Sequence, residues 1–207
     1  MKLQLSALFL GLAATAVSAQ DTQTGPYYLH ITGKEGSSID GYASACHAGA
    51  AIEGLCLGPE TPPDSYVYEY YFNTSSYTTV GESEVGTIAW KLPYTDQDGN
   101  PAVVDQVLGL QYQINSNVAA PMFGWSTYNL WGFDADGKLF GYTYYDDSTF
   151  TPGTNPVPSG EGVANYQWYV CWQYFTGYYY QSLGWATTSP PHNPTCEAVD
   201  VTQVLVS

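Results

Sequence analysis

Residues 130–142 carry the clearest structural signal in the chain: Leu130-Trp131-Gly132-Phe133-Asp134-Ala135-Asp136-Gly137-Lys138-Leu139-Phe140-Gly141-Tyr142. Apolar and aromatic residues flank both sides of a short Asp/Gly segment. Asp and Gly favour the backbone conformations of a tight turn, whereas aromatic residues favour strands. This stretch therefore predicts a β-hairpin that turns at residues 134–137.

Similar patterns recur along the chain, with Tyr, Val, Thr and Trp at apolar positions and frequent period-two alternation. Residues 41–57 are rich in alanine and make a helix the rival prediction there. The many short strands, separated by Gly, Pro and Asp turns, predict an all-β, single-domain antiparallel β-sandwich or barrel with long loops. Further strands are predicted over 66–72, 87–92, 104–114, 167–172, 178–185 and 197–206, and an irregular loop over 151–162.

The charge balance excludes several classes of protein. The chain has 207 residues, with 4 Lys+Arg against 19 Asp+Glu, and its formal net charge is −15. Nucleic-acid binding and electrostatic attachment to anionic membranes both need a basic surface. Because 44% of the residues are hydrophobic and only 11% are charged, the acidity does not indicate disorder.

The N-terminal segment has the features of a secretory signal peptide. Met1-Lys2 is followed by an apolar run to Val17 and by the small residues Ser18 and Ala19. A positive start, a short apolar run and a small-residue cleavage site are typical of such a signal. We expect residues 1–19 to be removed, and residues 20–207 to form one extracellular domain without a membrane anchor.

Export makes the four cysteines candidates for disulfides, which can pair in three ways. Short loops close at the least entropic cost, so proximity favours Cys46 with Cys56 and Cys171 with Cys196. The spacing does not fit a zinc site. The sequence Asn73-Thr74-Ser75 is a glycosylation sequon, and it is expected to mark an exposed turn that carries a glycan.

Aromatic residues are unusually dense, with 20 Tyr, 6 Trp and 7 Phe. Adjacent tyrosines in a strand face opposite sides, so some rings of each cluster should be exposed. Exposed Tyr and Trp are flat platforms with polar edges, which suits stacking on sugar rings. The candidates for carbohydrate contact are Tyr70, Trp131, Tyr144, Trp172, Tyr179 and Trp185.

Sugar hydrolysis would need a pair of carboxylates, and no pair stands out. The size and the Tyr, Gly and Thr content resemble those of compact β-jelly-roll xylanases and endoglucanases, so a small glycoside hydrolase is an alternative. Residues 96–100 and 134–137 place acidic oxygens at alternating positions, but neither stretch completes a calcium loop. We expect hairpin turns there, with no metal and no cofactor. The carboxylates considered are Glu69, Glu82, Glu84, Asp146, Asp147 and Glu161.

Three stretches resemble a group of small secreted proteins of filamentous fungi, relatives of the phialide-associated cell wall protein. They are residues 29–57, which contain Ser44-Ala45-Cys46-His47-Ala48-Gly49, the stretch Trp168-Tyr169-Val170-Cys171, and the stretch Asn193-Pro194-Thr195-Cys196-Glu197. The resemblance implies cysteine pairing within the C-terminal region and a cell-wall or extracellular setting. It implies no catalytic residues.

Together these observations predict a secreted, cell-wall-associated, non-catalytic fungal protein that makes weak contact with wall polysaccharide through exposed Tyr and Trp. A second alternative to the hydrolase is a secreted effector or a self-associating interaction protein. The sequence leaves the oligomeric state open.

Overall fold

The computed structural model describes residues 22–124, 128–156 and 162–206. The chain there folds almost entirely into antiparallel strands, so the all-β prediction is confirmed. None of its helical segments is long or apolar enough to cross a membrane; those present are 3-10 turns at Tyr66–Tyr68 and Asp147–Thr149. The strands are β1 (Thr22–Gly33), β2 (Asp40–Gly49), β3 (Ile52–Leu57), β4 (Tyr70–Val80), β5 (Ser83–Thr95), β6 (Pro101–Val107), β7 (Gly109–Gln111), β8 (Val118–Phe123), β9 (Trp131–Phe133), β10 (Leu139–Thr143), β11 (Val163–Asn165), β12 (Trp168–Phe175), β13 (Tyr178–Ala186) and β14 (Glu197–Leu205).

Six strands form a closed circuit of antiparallel pairs. In order they are β1, β2, β3, β13, β12 and β14, and β14 pairs again with β1. A circuit of this kind is a barrel. Of the two predicted architectures, this part of the molecule therefore adopts the barrel. From β1 the sheet continues through β4, β5, β9 and β10 to β11.

The larger of two hydrophobic clusters fills the barrel and extends beneath the adjoining sheet. Alternate residues of β1 and β14 point inward, among them Leu29, Ile31, Val199 and Val201, and all four are buried. This is the period-two pattern of a strand with one side against the core. Aromatic rings supply much of the core volume, as the density of Tyr and Trp in the sequence suggests.

Three tryptophans contact one another at the centre of this core; we call them the tryptophan cluster. Trp131 stacks on Trp168 with ring centroids 5.2 Å apart, and Trp185 meets both rings edge to face at 5.7 and 5.0 Å. The indole N–H of Trp131 donates to the Leu108 carbonyl, and that of Trp168 donates to the Leu139 carbonyl. Both buried donors are therefore satisfied.

The hairpin over 130–142 is confirmed, and β9 pairs with β10 across its turn. Asp134 closes the turn because its carboxylate accepts from the backbone N–H groups of Asp136 and Lys138, at 3.0 and 2.8 Å. Asp96 does the same in the second acidic stretch, accepting from the N–H groups of Asp98 and Asn100. Both stretches are therefore turns, in which the aspartate oxygens bind the backbone.

Residues 41–57 are not helical, which corrects the rival prediction for that segment. They form the β2–β3 hairpin, in which Ser44 lies opposite Cys56 and Cys46 lies opposite Gly54. Ala43 is fully buried on the inner side of β2. The helix propensity of alanine is therefore overridden by the pairing of β2 with β1 and β3.

Two other predicted strands have different boundaries. Tyr66–Tyr68 is a 3-10 turn rather than a strand, and the Tyr66 carbonyl accepts from the indole N–H of Trp90 at 3.0 Å. The predicted 104–114 segment is divided at Leu108 because β6 pairs with β5, whereas β7 pairs with β8. Leu108 and Leu110 are buried, but Val104, Tyr112 and Ile114 are exposed, so they do not form one buried face.

Disulfides join Cys46 to Cys56 and Cys171 to Cys196. The pairing favoured by sequence proximity is therefore confirmed. The first bond links β2 to β3 within the hairpin. The second ties β12 to the segment just before β14, at the point where these two strands separate.

Asp200 fastens the 130–142 hairpin to the barrel. Its carboxylate lies 2.8 Å from the Lys34 ammonium and 2.9 Å from the Lys138 ammonium, and Lys138 belongs to that hairpin. Burial raises the pKa of Asp200, but hydrogen bonds and positive charge from the two lysines outweigh burial, so the pKa lies below its usual value. The ionised form is thus favoured in the folded protein.

We expect this ion-pair cluster to make the protein sensitive to acid. The pKa of an unfolded Asp is ~3.9. Because the pKa of Asp200 is lower in the folded protein, its full contribution to the free energy of unfolding is present above the unfolded pKa. That contribution is lost as the pH falls through the pKa of the folded protein. Asp200→Asn should reduce the free energy of unfolding at pH 7 by about 1 to 2 kcal/mol, since the lysines are partly exposed. The variant should also lose less stability than the native protein as the pH falls.

Thermal unfolding between pH 2 and 7 measures both effects. Asp105→Asn is the matched control, because it removes one negative charge at an exposed position of β6. Equal acid sensitivity in the native and Asp200→Asn proteins would contradict the assignment.

Candidate functional site

Three of the six residues predicted to contact carbohydrate are buried, which corrects the prediction for them. Trp131 and Trp185 belong to the tryptophan cluster, and Tyr70 is only 1% exposed and stacks on Phe123. The Tyr70 hydroxyl donates to the Val67 carbonyl, and burial raises its pKa well above the ordinary value. These rings lie on the inward side of their strands, so they stabilise the core instead of contacting a polymer at the surface.

The exposed predicted residues of the β12–β13 hairpin lie together. Trp172 is 42% exposed and Tyr179 is 59% exposed; their rings are within 29° of parallel, with centroids 5.2 Å apart. Tyr174 lies directly opposite Tyr179 in the strand pairing and is 67% exposed. We call Trp172, Tyr174 and Tyr179 the aromatic strip.

The aromatic strip continues the core-facing side of β12 past the end of the barrel. Trp168 and Val170 are buried on this side, and period-two alternation places Trp172 and Tyr174 on the same side. β14 pairs with β12 only at Tyr169 and Val170. Beyond that point nothing in the described sheet pairs with this edge of β12, and Trp172 and Tyr174 on its apolar side are exposed.

Local bonds hold the strip in place where β14 has ended. The backbone N–H of Trp172 donates to the Thr195 hydroxyl at 2.9 Å, and its carbonyl accepts from the Asn193 side-chain amide at 2.9 Å. The adjacent residue Cys171 is bonded to Cys196. The 193–196 segment therefore substitutes for a strand partner and positions the Trp172 backbone before any ligand arrives.

Tyr144, the remaining predicted residue, lies in a separate cleft of about 570 Å³. The cleft is formed by β10, β11 and the segments 128–130 and 144–147. It carries tyrosine rings together with carboxylates and side-chain amides. We call it the tyrosine cleft, and its principal side chains are Tyr128, Tyr142, Tyr144, Tyr145, Asn129, Asn165, Asp146 and Asp147.

The rings of the tyrosine cleft support one another. Tyr144 meets Tyr145 edge to face at 4.6 Å, and Tyr145 stacks on Phe150 at 5.5 Å. A smaller cavity of about 170 Å³ shares Asn129, Tyr142 and Asn165 with the cleft, and the buried Trp131 and Trp185 line it. The two cavities therefore lie side by side, and the smaller one adjoins the tryptophan cluster.

The polar groups of the cleft are held mainly by the backbone. The Asn129 side-chain oxygen Oδ1 accepts from the Leu110 N–H, and the Asn165 side-chain amide donates to the carbonyls of Gly141 and Val163. Asp146 accepts from the Ser148 N–H at 3.0 Å. Hydrogen bonds from Ser148 lower the pKa of Asp146, which favours its ionised form.

The predicted carboxylates are distributed over the chain. Asp146 and Asp147 line the tyrosine cleft, whereas Glu84 accepts a hydrogen bond from Thr74 within the β4–β5 pairing, and Glu82 occupies the β4–β5 turn. Glu69 ends the 3-10 turn that precedes β4. Glu161 lies outside the described residues.

The sequon is in a strand and not in a turn, which corrects that part of its prediction. Asn73 lies within β4, opposite Gln23 on one side and Thr87 on the other. Its side-chain oxygen accepts from the Gln23 amide at 2.8 Å, and the bond is exposed. The neighbouring Thr74 is buried, so Asn73 faces away from the core. Glycosylation at Asn73 stays a prediction.

The sequence analysis missed several residues of these two sites. Tyr174 is at an alternate position from Trp172, and that spacing was a signal that could have found it. Tyr142 stands in the same relation to Tyr144. Tyr128, Asn129 and Asn165 come from two other segments, which meet β10 only in the folded chain, so no local pattern identifies them.

Comparison with known proteins places the domain in a family without assigning its activity. No curated protein and no solved structure matches the chain significantly. One family matches residues 24–205, which include nearly all of the described strands. The chain therefore belongs to the family described as Domain of unknown function (DUF7907).

Proposed function

We propose that this is a secreted, cell-wall-associated fungal protein that contacts wall polysaccharide without catalysis, through the aromatic strip. The observation that carries the proposal is the near-parallel, exposed pair Trp172 and Tyr179 with Tyr174 beside it. Two disulfides support an extracellular setting. The resemblance to secreted fungal wall proteins and the N-terminal signal pattern support the same setting.

The strip suits weak contact with an extended polymer. Its rings provide apolar faces for sugar C–H groups, and the tyrosine hydroxyls are available to the sugar hydroxyls. It lies on an exposed strand hairpin, so each contact buries little area. Its backbone is already fixed by Thr195 and Asn193, and this preorganisation lowers the entropy lost on binding.

Co-sedimentation with insoluble chitin, β-glucan and mannan tests the proposal. We expect retention on at least one polymer. Trp172→Ala should weaken retention about fivefold, because a lost aromatic contact costs about 1 kcal/mol. Tyr94→Ala removes a ring of similar exposure on the β5–β6 hairpin and should leave retention unchanged.

No retention on any of the three polymers would contradict the proposal. Equal losses of retention from Trp172→Ala and Tyr94→Ala would show that non-specific adsorption, rather than the aromatic strip, causes retention.

A glycoside hydrolase is the second candidate, because Asp146 and Asp147 line an aromatic cleft. A hydrolytic acid needs a raised pKa so that it stays protonated. The pKa of Asp146 is lowered, which suits a permanent charge better than a proton donor. Release of reducing ends from the same polymers, abolished by Asp146→Asn/Asp147→Asn, would favour the hydrolase.

A further inference from the structure

We infer that the smaller cavity beside the tyrosine cleft binds one neutral sugar ring. The cavity has a volume of about 170 Å³. We call it the amide cavity, because the side-chain amides of Asn129, Asn165 and Gln167 line it. The inference goes beyond the proposed function, since the amide cavity shares no residue with the aromatic strip.

Backbone partners fix the orientation of two of these amides. Oδ1 of Asn129 accepts from the Leu110 N–H at 2.8 Å, so Nδ2 is the half of that amide that remains for a ligand. Nδ2 of Asn165 donates to the carbonyls of Gly141 and Val163, both at 3.3 Å, so Oδ1 remains. Because each amide is held by one half, its other half is presented in a fixed direction.

The two remaining halves are one donor and one acceptor, and both are accessible. Within the described residues, neither Nδ2 of Asn129 nor Oδ1 of Asn165 has a hydrogen-bond partner. In that part of the chain the only buried side-chain polar atom without a partner is Oε1 of Gln106, so the two amide atoms are not enclosed by protein. A sugar hydroxyl both donates and accepts, which matches a site that offers one group of each kind.

The other walls of the amide cavity suit the carbon skeleton of a sugar. Trp131 and Trp185 line it on the side of the tryptophan cluster, and Leu110 and Leu130 also contribute apolar surface. Aromatic rings are favourable partners for the C–H face of a sugar. Apolar walls with a few oriented polar groups are the usual construction of a small-molecule site.

The volume and the charge restrict the ligand further. A space of about 170 Å³ corresponds to roughly six waters at about 30 Å³ each, which is close to the volume of one hexose. The described lining contains no Asp, Glu, Lys, Arg or His. An ionised sugar would therefore lose hydration without gaining a charged partner, so the cavity favours a neutral one.

The adjoining tyrosine cleft leaves room for more of the ligand. It shares Asn129, Tyr142 and Asn165 with the amide cavity, so a chain that continues from the bound ring can extend into it. The sugar ring is therefore either a free monosaccharide or the terminal residue of a glycan. The same chemistry recognises both, and probes of different length distinguish them.

Titration of the native protein with methyl glycosides, followed by tryptophan fluorescence, tests this inference. The neutral probes are methyl β-glucoside, methyl N-acetyl-β-glucosaminide and methyl α-mannoside. The matched ionised probes are methyl β-glucuronide and methyl β-glucosaminide, used where the uronate and the amine are charged. We expect saturable binding of at least one neutral glycoside, and at least tenfold weaker binding of the ionised probes.

Two variants assign the binding to the amide cavity. Asn129→Asp retains an oxygen for the Leu110 N–H but has no donor in place of Nδ2, so it should weaken binding about fivefold. Asn100→Asp adds the same charge in the turn at the far end of the β5–β6 hairpin and should have no effect. Tyr112 lines the cavity and is 56% exposed, so Tyr112→Ala should fold and should also weaken binding about fivefold.

Tetramers of the neutral sugar that binds identify its source. Tighter binding of the tetramer than of the methyl glycoside would show that the cavity takes a chain end, whereas equal affinities would show that it takes the free sugar. In both cases Asn129→Asp should weaken the binding of the tetramer as it does that of the methyl glycoside.

The inference would be overturned if no neutral glycoside bound, or if the ionised probes bound as tightly as the neutral ones. Equal affinity of the native, Asn129→Asp and Tyr112→Ala proteins would overturn it as well. The proposed function is tested separately: Trp172→Ala should leave glycoside binding unchanged, and Asn129→Asp should leave retention on insoluble polymers unchanged.

Discussion

Trp131→Ala is expected to lower the free energy of unfolding by about 3 to 5 kcal/mol. Trp131 has no exposed surface and contacts Trp168 and Trp185 with ring centroids 5.2 and 5.7 Å away. Its removal would leave a cavity that two large rings cannot fill without leaving their own contacts. It would also leave the Leu108 carbonyl without the indole donor.

Denaturant titration followed by intrinsic fluorescence measures this loss. Trp172→Ala is the matched control, because the same substitution at an exposed ring should cost no more than about 1 kcal/mol. The two variants should also differ in function: Trp172→Ala should weaken polymer retention, whereas folded Trp131→Ala should leave it unchanged. Equal destabilisation by the two substitutions would contradict the placement of Trp131 at the centre of the core.

Loss of both disulfides is expected to have the largest effect on stability. The bonds close loops with sequence separations of 10 and 25. The chain-entropy relation assigns about 3 kcal/mol to the shorter loop and about 3.5 kcal/mol to the longer one. A combined loss of about 6 kcal/mol is comparable to the whole net stability of an ordinary domain, so the fully reduced protein should be largely unfolded at 37 °C.

Paired substitutions separate the two contributions. Cys46→Ala/Cys56→Ala and Cys171→Ala/Cys196→Ala should each lower the unfolding midpoint, and adding a reductant to the protein that lacks all four cysteines should have no further effect. The second pair should also weaken polymer retention, because Cys171 adjoins Trp172. An unchanged midpoint in the native protein after verified reduction would contradict the expectation.

Local patterns were sufficient for the strands and the cross-links. The 130–142 hairpin could be predicted because an Asp/Gly turn with aromatic flanks specifies its own backbone, and the structure shows Asp134 bonded to the turn N–H groups. The cysteine pairing could be predicted because both bonds close short loops. These features depend on residues that are near one another in sequence.

The secondary-structure predictions were wrong where a contact with another part of the chain overrode the local conformational preference. Tyr66–Tyr68 has strand-forming residues, but it forms a 3-10 turn, and its Tyr66 carbonyl accepts a hydrogen bond from the Trp90 indole N–H. The alanine-rich 41–57 segment pairs as the β2–β3 hairpin, and β3 also pairs with β13 and β8, which are distant in the sequence. No local pattern identifies such partners.

The sequence by itself determined an acidic, aromatic-rich, antiparallel β-domain with two short-loop disulfides. Only the tertiary structure decided which aromatic residues are accessible. Trp168 and Trp172 lie on the same side of β12, yet the first is buried against Trp131 and Trp185, whereas the second is exposed and contacts Tyr179. Period-two alternation specifies which residues share a side, but the end of a barrel is set by strands far away in the chain.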